Sequence, residues 1–442
     1  MPPRDAVIDL DLLPAEEPPP PPVNPRSRRR LLTAAALALV AFLLGGAVPT
    51  SSRRAVTLFE TALPVSANFE IVGDTCYVTE PLREGSRVTA YPLAGGRPRW
   101  VTQLAATSGE LALQALGDVL LVSSITSEPL VITHVTALDR RTGAIRWESP
   151  LWASGLDVTH NRVVVGNPVR ADRIDAMPDG DVVAVAADTG AARWTYHWAA
   201  GCQVDVPQTP DDARAALAVL CGDGTLSAVD LDSGRVRATV GDAVRRPENS
   251  LGFGIGVFAL ADRILVNYPF AGSSVIASFD PVGLARQWTV TLPLDNYYIS
   301  DCGLRLCLFS SPGTRILERA TGREVWREPA GSATVAVTDQ YLLTFLASGA
   351  YRVTDARNGR IVLALDGWVL QLTEEGLLAF RQEPATDRTW VASVLTDPVE
   401  LRLLGFLPGM YVGQDCGRRE GYLACRTVNQ TLEVWRWPGS GR

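Results

Sequence analysis

Three histidines and seven cysteines are the side chains of this 442-residue sequence best suited to chemistry, and their spacing limits what that chemistry can be. His134, His160 and His197 lie far apart, and no two fall at the spacing that brings a pair of imidazoles to one metal. Each sits in or beside a strand-like run, so each reads as a structural histidine. Cys76, Cys202, Cys221, Cys302, Cys307, Cys416 and Cys425 include no C-x-x-C, which argues against a zinc ribbon or c-type haem. Six of them form sequence-local pairs, 202/221, 302/307 and 416/425, the pattern of short-range disulfides outside the cytoplasm. Cys76 is left over as a buried free thiol. The carboxylate-rich stretches "MPDGD" (177–181) and "GDGT" (222–225) lack the alternating oxygen donors of a calcium loop and read as turns between strands. Neither G-x-S-x-G nor a phosphate-cradling Gly-Lys loop occurs, and all 41 basic residues are arginine. Spacing therefore assigns no catalytic, cofactor-binding or metal-ligating residue.

What is left for function is surface. "NYPF" (267–270) and "LDNYYIS" (294–300) are the aromatic-rich stretches. Tyr268, Phe270, Tyr297 and Tyr298 make a candidate recognition surface, because aromatic side chains anchor interfaces. Ordinary strand packing is the competing reading. The net charge of −7 and pI near 5.2 give no electrostatic footprint for nucleic acid. The absence of lysine fits a GC-rich bacterial genome, and in that setting the "NQT" sequon at Asn429 reads as chance.

The elements that would carry any such surface are written as a repeat. "ALDRRTGAIRW" (137–147) returns as "AVAADTGAARW" (184–194), "AVDLDSGRVRA" (228–238), "ILERATGREVW" (316–326) and "VTDARNGRIVL" (353–363). Degenerate copies, "AYPLAGGRPRW" and "SFDPVGLARQW", end at Trp100 and Trp288. In each phrase a strand runs into a turn and a second strand begins. Asp139, Asp230 and Asp355 can cap the turn backbone. Gly143, Gly190, Gly234, Gly322 and Gly359 supply the positive φ of a tight hairpin. Trp147, Trp194 and Trp326, with Trp100 and Trp288, have the bulk to fill space between packed sheets. At two copies the Trp slot holds Ala238 or Leu363. The last positions of the copies recur every 37 to 50 residues, and two more strand-like runs precede each phrase. That is the period of a β-propeller blade. The final unit has three strands, and "AVTLFETALP" (55–64) can supply its fourth and close the ring. The expectation is an all-β propeller over 55–437 with about eight four-stranded blades, seven and nine being the alternatives.

With the phrase and its copies in view, the sequence resembles the pyrroloquinoline-quinone-like (PQQ-like) β-propeller repeat. The resemblance implies the propeller fold and two kinds of function. Quinoprotein dehydrogenases of the family hold the quinone against a disulfide between adjacent cysteines, beside calcium and a catalytic Asp; no two cysteines are adjacent here. Other members are non-catalytic scaffolds of the bacterial envelope. The expected function is a protein- or ligand-binding scaffold with no cofactor, and the alternative is a dehydrogenase using PQQ with calcium.

A membrane anchor is expected before the repeats, a signal peptide cleaved near Gly45 and Ala47 being the alternative. Residues 1–30 are Pro- and Arg-rich and read as a disordered cytoplasmic tail, and residues 438–442 read as a disordered end. Leu31–Val48 carries no charge, and as a helix it would run roughly 27 Å, enough to cross a bilayer core. Arg26, Arg28, Arg29 and Arg30 on its N-terminal side place that side in the cytoplasm, which puts the propeller outside.

Overall fold

The computed structural model describes residues 55–437, apart from 106–109, 126–133, 158–159, 167–176, 208–213, 245–254, 296, 374–375, 410 and 420. The tails and the expected anchor at 31–48 lie outside the described residues, among which no helix is long and apolar enough to cross a membrane. Nearly all the described regular structure is strand; a single turn of 3₁₀ helix spans Pro384–Thr386.

The strands form nine four-stranded antiparallel sheets. Eight are consecutive meanders, blades 1 to 8, covering residues 68–104, 110–149, 152–198, 202–240, 256–293, 298–327, 333–365 and 369–408. Blade 9 takes three strands from 411–436 and its outermost strand, Val56–Ala62, from the N-terminal end of the propeller. Val56–Ala62 pairs antiparallel with Thr431–Arg436, so closure by an N-terminal strand is as expected. The count is nine, not eight. Eight complete quartets are legible in the sequence; the composite blade is a ninth sheet in its own right rather than a share of one of them.

Within each blade, strands A to D run up and down. The A–B and C–D turns therefore lie on one face of the ring, here the turn face. The B–C turns and D–A connections lie on the other, the connector face. The A strands of blades 8, 9, 1 and 2 touch in succession and so line the axis.

The core is divided among the seams. Nine clusters of buried side chains occur, and each joins two neighbouring blades. Tyr77, Val88 and Trp100 of blade 1, for example, pack on Leu111, Leu120 and Val122 of blade 2. Leu63, Ile71 and Val78 meet Ala424, Leu432 and Val434 across the closing seam. A sheet buried on both faces must be apolar on both, which is why central strands such as Arg162–Gly166 are buried throughout.

Polar side chains stitch the inner edge. Asn68 Nδ2 donates to the Leu111 carbonyl (3.1 Å), and the Ala259 N–H donates to Asp205 Oδ2 (2.6 Å). The Gln371 amide pairs with both backbone groups of Cys416, accepting from its N–H at 2.8 Å and donating to its carbonyl. These contacts occupy backbone groups that an inner strand would otherwise leave open.

Candidate functional site

The repeated phrase contributes little free chemistry, because its polar groups are consumed by the turn. Asp139 Oδ1 accepts from the Arg141 and Thr142 N–H groups (3.0 and 2.8 Å) and from the Thr142 hydroxyl (2.9 Å). Its Oδ2 accepts from Arg146 at 2.6 Å. Arg146 first and the Thr142 groups next hold the Asp139 carboxyl far below the usual carboxylate range. Asp230 repeats the arrangement with Ser233 and Arg237.

The Gly and Trp of one phrase do not serve each other. Each Trp lies over the Gly of the next blade. A Cβ built on Gly143 would fall 2.5 Å from the Trp100 ring, and one on Gly190 would fall 2.6 Å from that of Trp147. Gly234, Gly322 and Gly359 meet Trp194, Trp288 and Trp326 in the same way. The indole N–H groups of Trp100, Trp147, Trp194 and Trp288 donate to backbone carbonyls of the following C–D turn, at Arg140, Ala187, Leu231 and Arg319 (2.8–3.1 Å). Trp326 donates instead to Glu328 Oε1 at 2.9 Å. Phe59, on the closing strand of blade 9, covers Gly96 of blade 1 and takes the same role there.

The two lapses obey the rule in reverse. Where blade 4 has Ala238 in the Trp slot, blade 5 has Leu284 in the Gly slot, at φ 55° and buried, and both lie in the seam between those blades. Where blade 7 has Leu363, the C–D turn of blade 8 is Asp397–Pro398, with a cis peptide bond and no glycine. Sequence reasoning missed this relay because it treated the phrase as one unit. The signal was present as the paired substitution of two slots in successive copies.

The predicted disulfides form. Cys202–Cys221, Cys302–Cys307 and Cys416–Cys425 each bridge strands A and B of one blade. Cys76 lies on strand B of blade 1, free and fully buried; burial, with Glu70 adding to it, pushes its thiol far above the ordinary value. His197 Nδ1 lies 2.9 Å from Asp181 Oδ1 on the surface, His134 stands beside Glu148, and His160 sits in the A–B turn of blade 3.

The four aromatic candidates divide. Tyr268 and Tyr297 are buried, and the Tyr297 hydroxyl donates to the Pro293 carbonyl at 3.1 Å. Phe270 and Tyr298 are 40% and 54% exposed, at the connector face of blades 5 and 6. Tyr298 contacts the rings of Phe258 and Phe309, with centroids 6.1 and 6.0 Å away. Leu294 in the connection between the two blades, and Phe345 of blade 7 with its ring tilted against that of Tyr351, extend the exposed apolar surface along this face. The turns of the opposite face carry ion pairs, among them Arg146–Asp139, Arg237–Asp230, Arg162–Asp232 and Arg319 with Asp262 and Asp301.

At the turn-face end of the axis, a cavity of about 430 Å³ opens between inner strands of blades 9, 1, 2 and 3. Its polar lining is Glu70, Gln114, Arg140 and Arg419. Burial pushes the Glu70 carboxyl above its usual range, and Arg419 pulls it partly back. One carboxylate set against two guanidiniums does not suit a dication. Among the described residues, no three His, Cys, Asp or Glu side chains are grouped to hold a metal. These residues do not fit a calcium–quinone pair, and no redox step follows from them.

Residues 133–250 match the family model described as outer membrane protein assembly factor BamB. Over that stretch, about a quarter of the chain, the sequence is similar to the PQQ-like repeat. Solved structures of similar fold include BamB from Moraxella catarrhalis, at 15% identity over 87% of this chain and 100% of that one, with a TM-score of 0.44. The quinohemoprotein alcohol dehydrogenase of Comamonas testosteroni aligns at 12% identity over 90% of this chain and 78% of its own, with a TM-score of 0.41. No curated protein matches the sequence.

Proposed function

We propose that this propeller is a non-catalytic scaffold, anchored in the membrane by residues 31–48, that docks a protein partner outside the cytoplasm through the connector face of blades 5 to 7. The carrying observation is the exposed aromatic and aliphatic group at Phe270, Leu294, Tyr298 and Phe345. Such side chains gain most by being covered, and aromatic anchors dominate protein interfaces. A rigid ring suits the role, since a preorganised surface loses little entropy on binding. The three disulfides support an oxidising location. The test is a titration of PQQ with calcium into the propeller from Ala55 onward, followed through its tryptophan fluorescence. The reading expects no saturable quenching and no alcohol-dependent dye reduction. Saturable quenching with dye reduction would make the protein a dehydrogenase.

A further inference from the structure

Arg140 and Arg319 occupy the same position of the repeated phrase, directly after Asp139 and Glu318. The backbone carbonyl of each accepts an indole N–H from the preceding blade, Trp100 to Arg140 (3.0 Å) and Trp288 to Arg319 (3.1 Å). Their guanidiniums are seated alike on the A–B turn of their own blade. Arg140 Nη1 donates to the Gly117 carbonyl (2.6 Å), and Arg319 Nη1 donates to that of Gly303 (3.0 Å).

Their charges are treated differently. Arg319 is paired with Asp301 at 2.7 Å and with Asp262 of the preceding blade at 2.5 Å. Arg140 has only neutral partners: besides Gly117, the Val72 carbonyl and the Tyr77 hydroxyl, each at 3.4 Å. Among the described residues, no carboxylate lies within ion-pair distance of it. The repeat shows why. Counted back from the turn glycines Gly117 and Gly303, Ala115 stands where Asp301 does. Asp74, the counterpart of Asp262 in the A–B turn of blade 1, is engaged by Thr75 (2.7 Å) and Arg99 (3.3 Å). In place of the two carboxylates there is the cavity, walled by Arg140 and Ala115; its one carboxylate, Glu70, is set against a second guanidinium, Arg419, so the lining keeps an excess of positive charge.

A half-buried cation with no carboxylate in ion-pair range is unfavourable, and a held guanidinium with spare N–H groups is a ready partner for a carboxylate. The volume lies within the range of roughly 300–1,000 Å³ typical of small-molecule sites, so it admits more than a bare ion. We propose that this cavity binds a small organic carboxylate, whose anionic group takes at Arg140 the place that Asp301 takes at Arg319. The site is on the turn face, away from the docking residues, and stands or falls independently of them.

The test uses the purified full-length chain with succinate and citrate as probes and sulfate and phosphate as controls, read by calorimetry and by thermal midpoint. Saturable one-to-one binding of at least one carboxylate, tighter than either control, is expected. Ala115→Asp supplies the missing carboxylate within the chain. It should raise the midpoint without ligand and weaken carboxylate binding at least tenfold. Arg140→Gln should lose binding without the gain in midpoint. Failure of both carboxylates to bind at millimolar concentration, equal binding by sulfate or phosphate, or unchanged affinity in Ala115→Asp would overturn the proposal.

Discussion

At the scale of single residues, the fold depends on glycines that admit a neighbour's indole. Gly190 has φ 67° and a Cβ added to it would clash with the Trp147 ring, whereas Gly201 has φ 78° and open space where a Cβ would stand. Ala at Gly201 meets only the backbone penalty, roughly 1–2 kcal/mol. Ala at Gly190 adds displacement of the ring, for a total of about 2–4 kcal/mol. Urea denaturation of the two variants checks the difference; equal losses would mean that the indole yields freely. The turn carboxylates set the response to acid. Asp262, despite burial that raises its pKa, is held well below the usual range by Arg319 and Arg263. A carboxyl depressed in the folded state stabilises above its unfolded pKa of about 3.9, and that contribution fades as pH falls towards the folded value. Asp262→Asn is therefore expected to lower the thermal midpoint at pH 7, with the gap to the wild type closing below about pH 4. A gap that widens on acidification would contradict this account of the cluster.

At the scale of elements, the seams explain why some features were legible in the sequence and others were not. Strand order, the closing strand and the three disulfides follow from local patterns: alternation, turn residues and cysteine spacing. The Trp–Gly relay joins residues about 40 positions apart in successive blades, as from Trp100 to Gly143 or Trp147 to Gly190, so no local window contains both partners. The burial of Tyr268 and Tyr297 beside exposed Phe270 and Tyr298 was likewise hidden, because alternation shows that neighbours face opposite ways but not which way is covered. The reversed pair of blades 4 and 5 provides a test. Ala238→Trp should destabilise by overfilling the seam against Leu284, and Leu284→Gly by emptying it. Together they would restore the arrangement of the other seams. A double-mutant cycle should give a favourable coupling of about 1–3 kcal/mol; additive losses would show that the two slots do not meet.

At the scale of the whole molecule, nine seams close a ring whose turn face carries the capped turns of the repeated phrase and whose connector face exposes aromatic side chains at blades 5 to 7. The two faces have separate proposed roles, a small anion at the channel end of the turn face and a protein on the connector face. Fold does not settle function, which lives in the sites built on it. The Asp, Gly and Trp positions of the repeated phrase are occupied in holding the blades together. The docking claim is tested most directly by placing a photo-crosslinking residue in intact cells at Phe270, Tyr298 or Phe345, and separately at Val282 and Leu304 of the turn face, which are equally accessible. The account predicts one discrete protein adduct, the same from all three connector-face positions and absent from the two turn-face positions. Equal labelling from both faces, or none from the connector face, would contradict it.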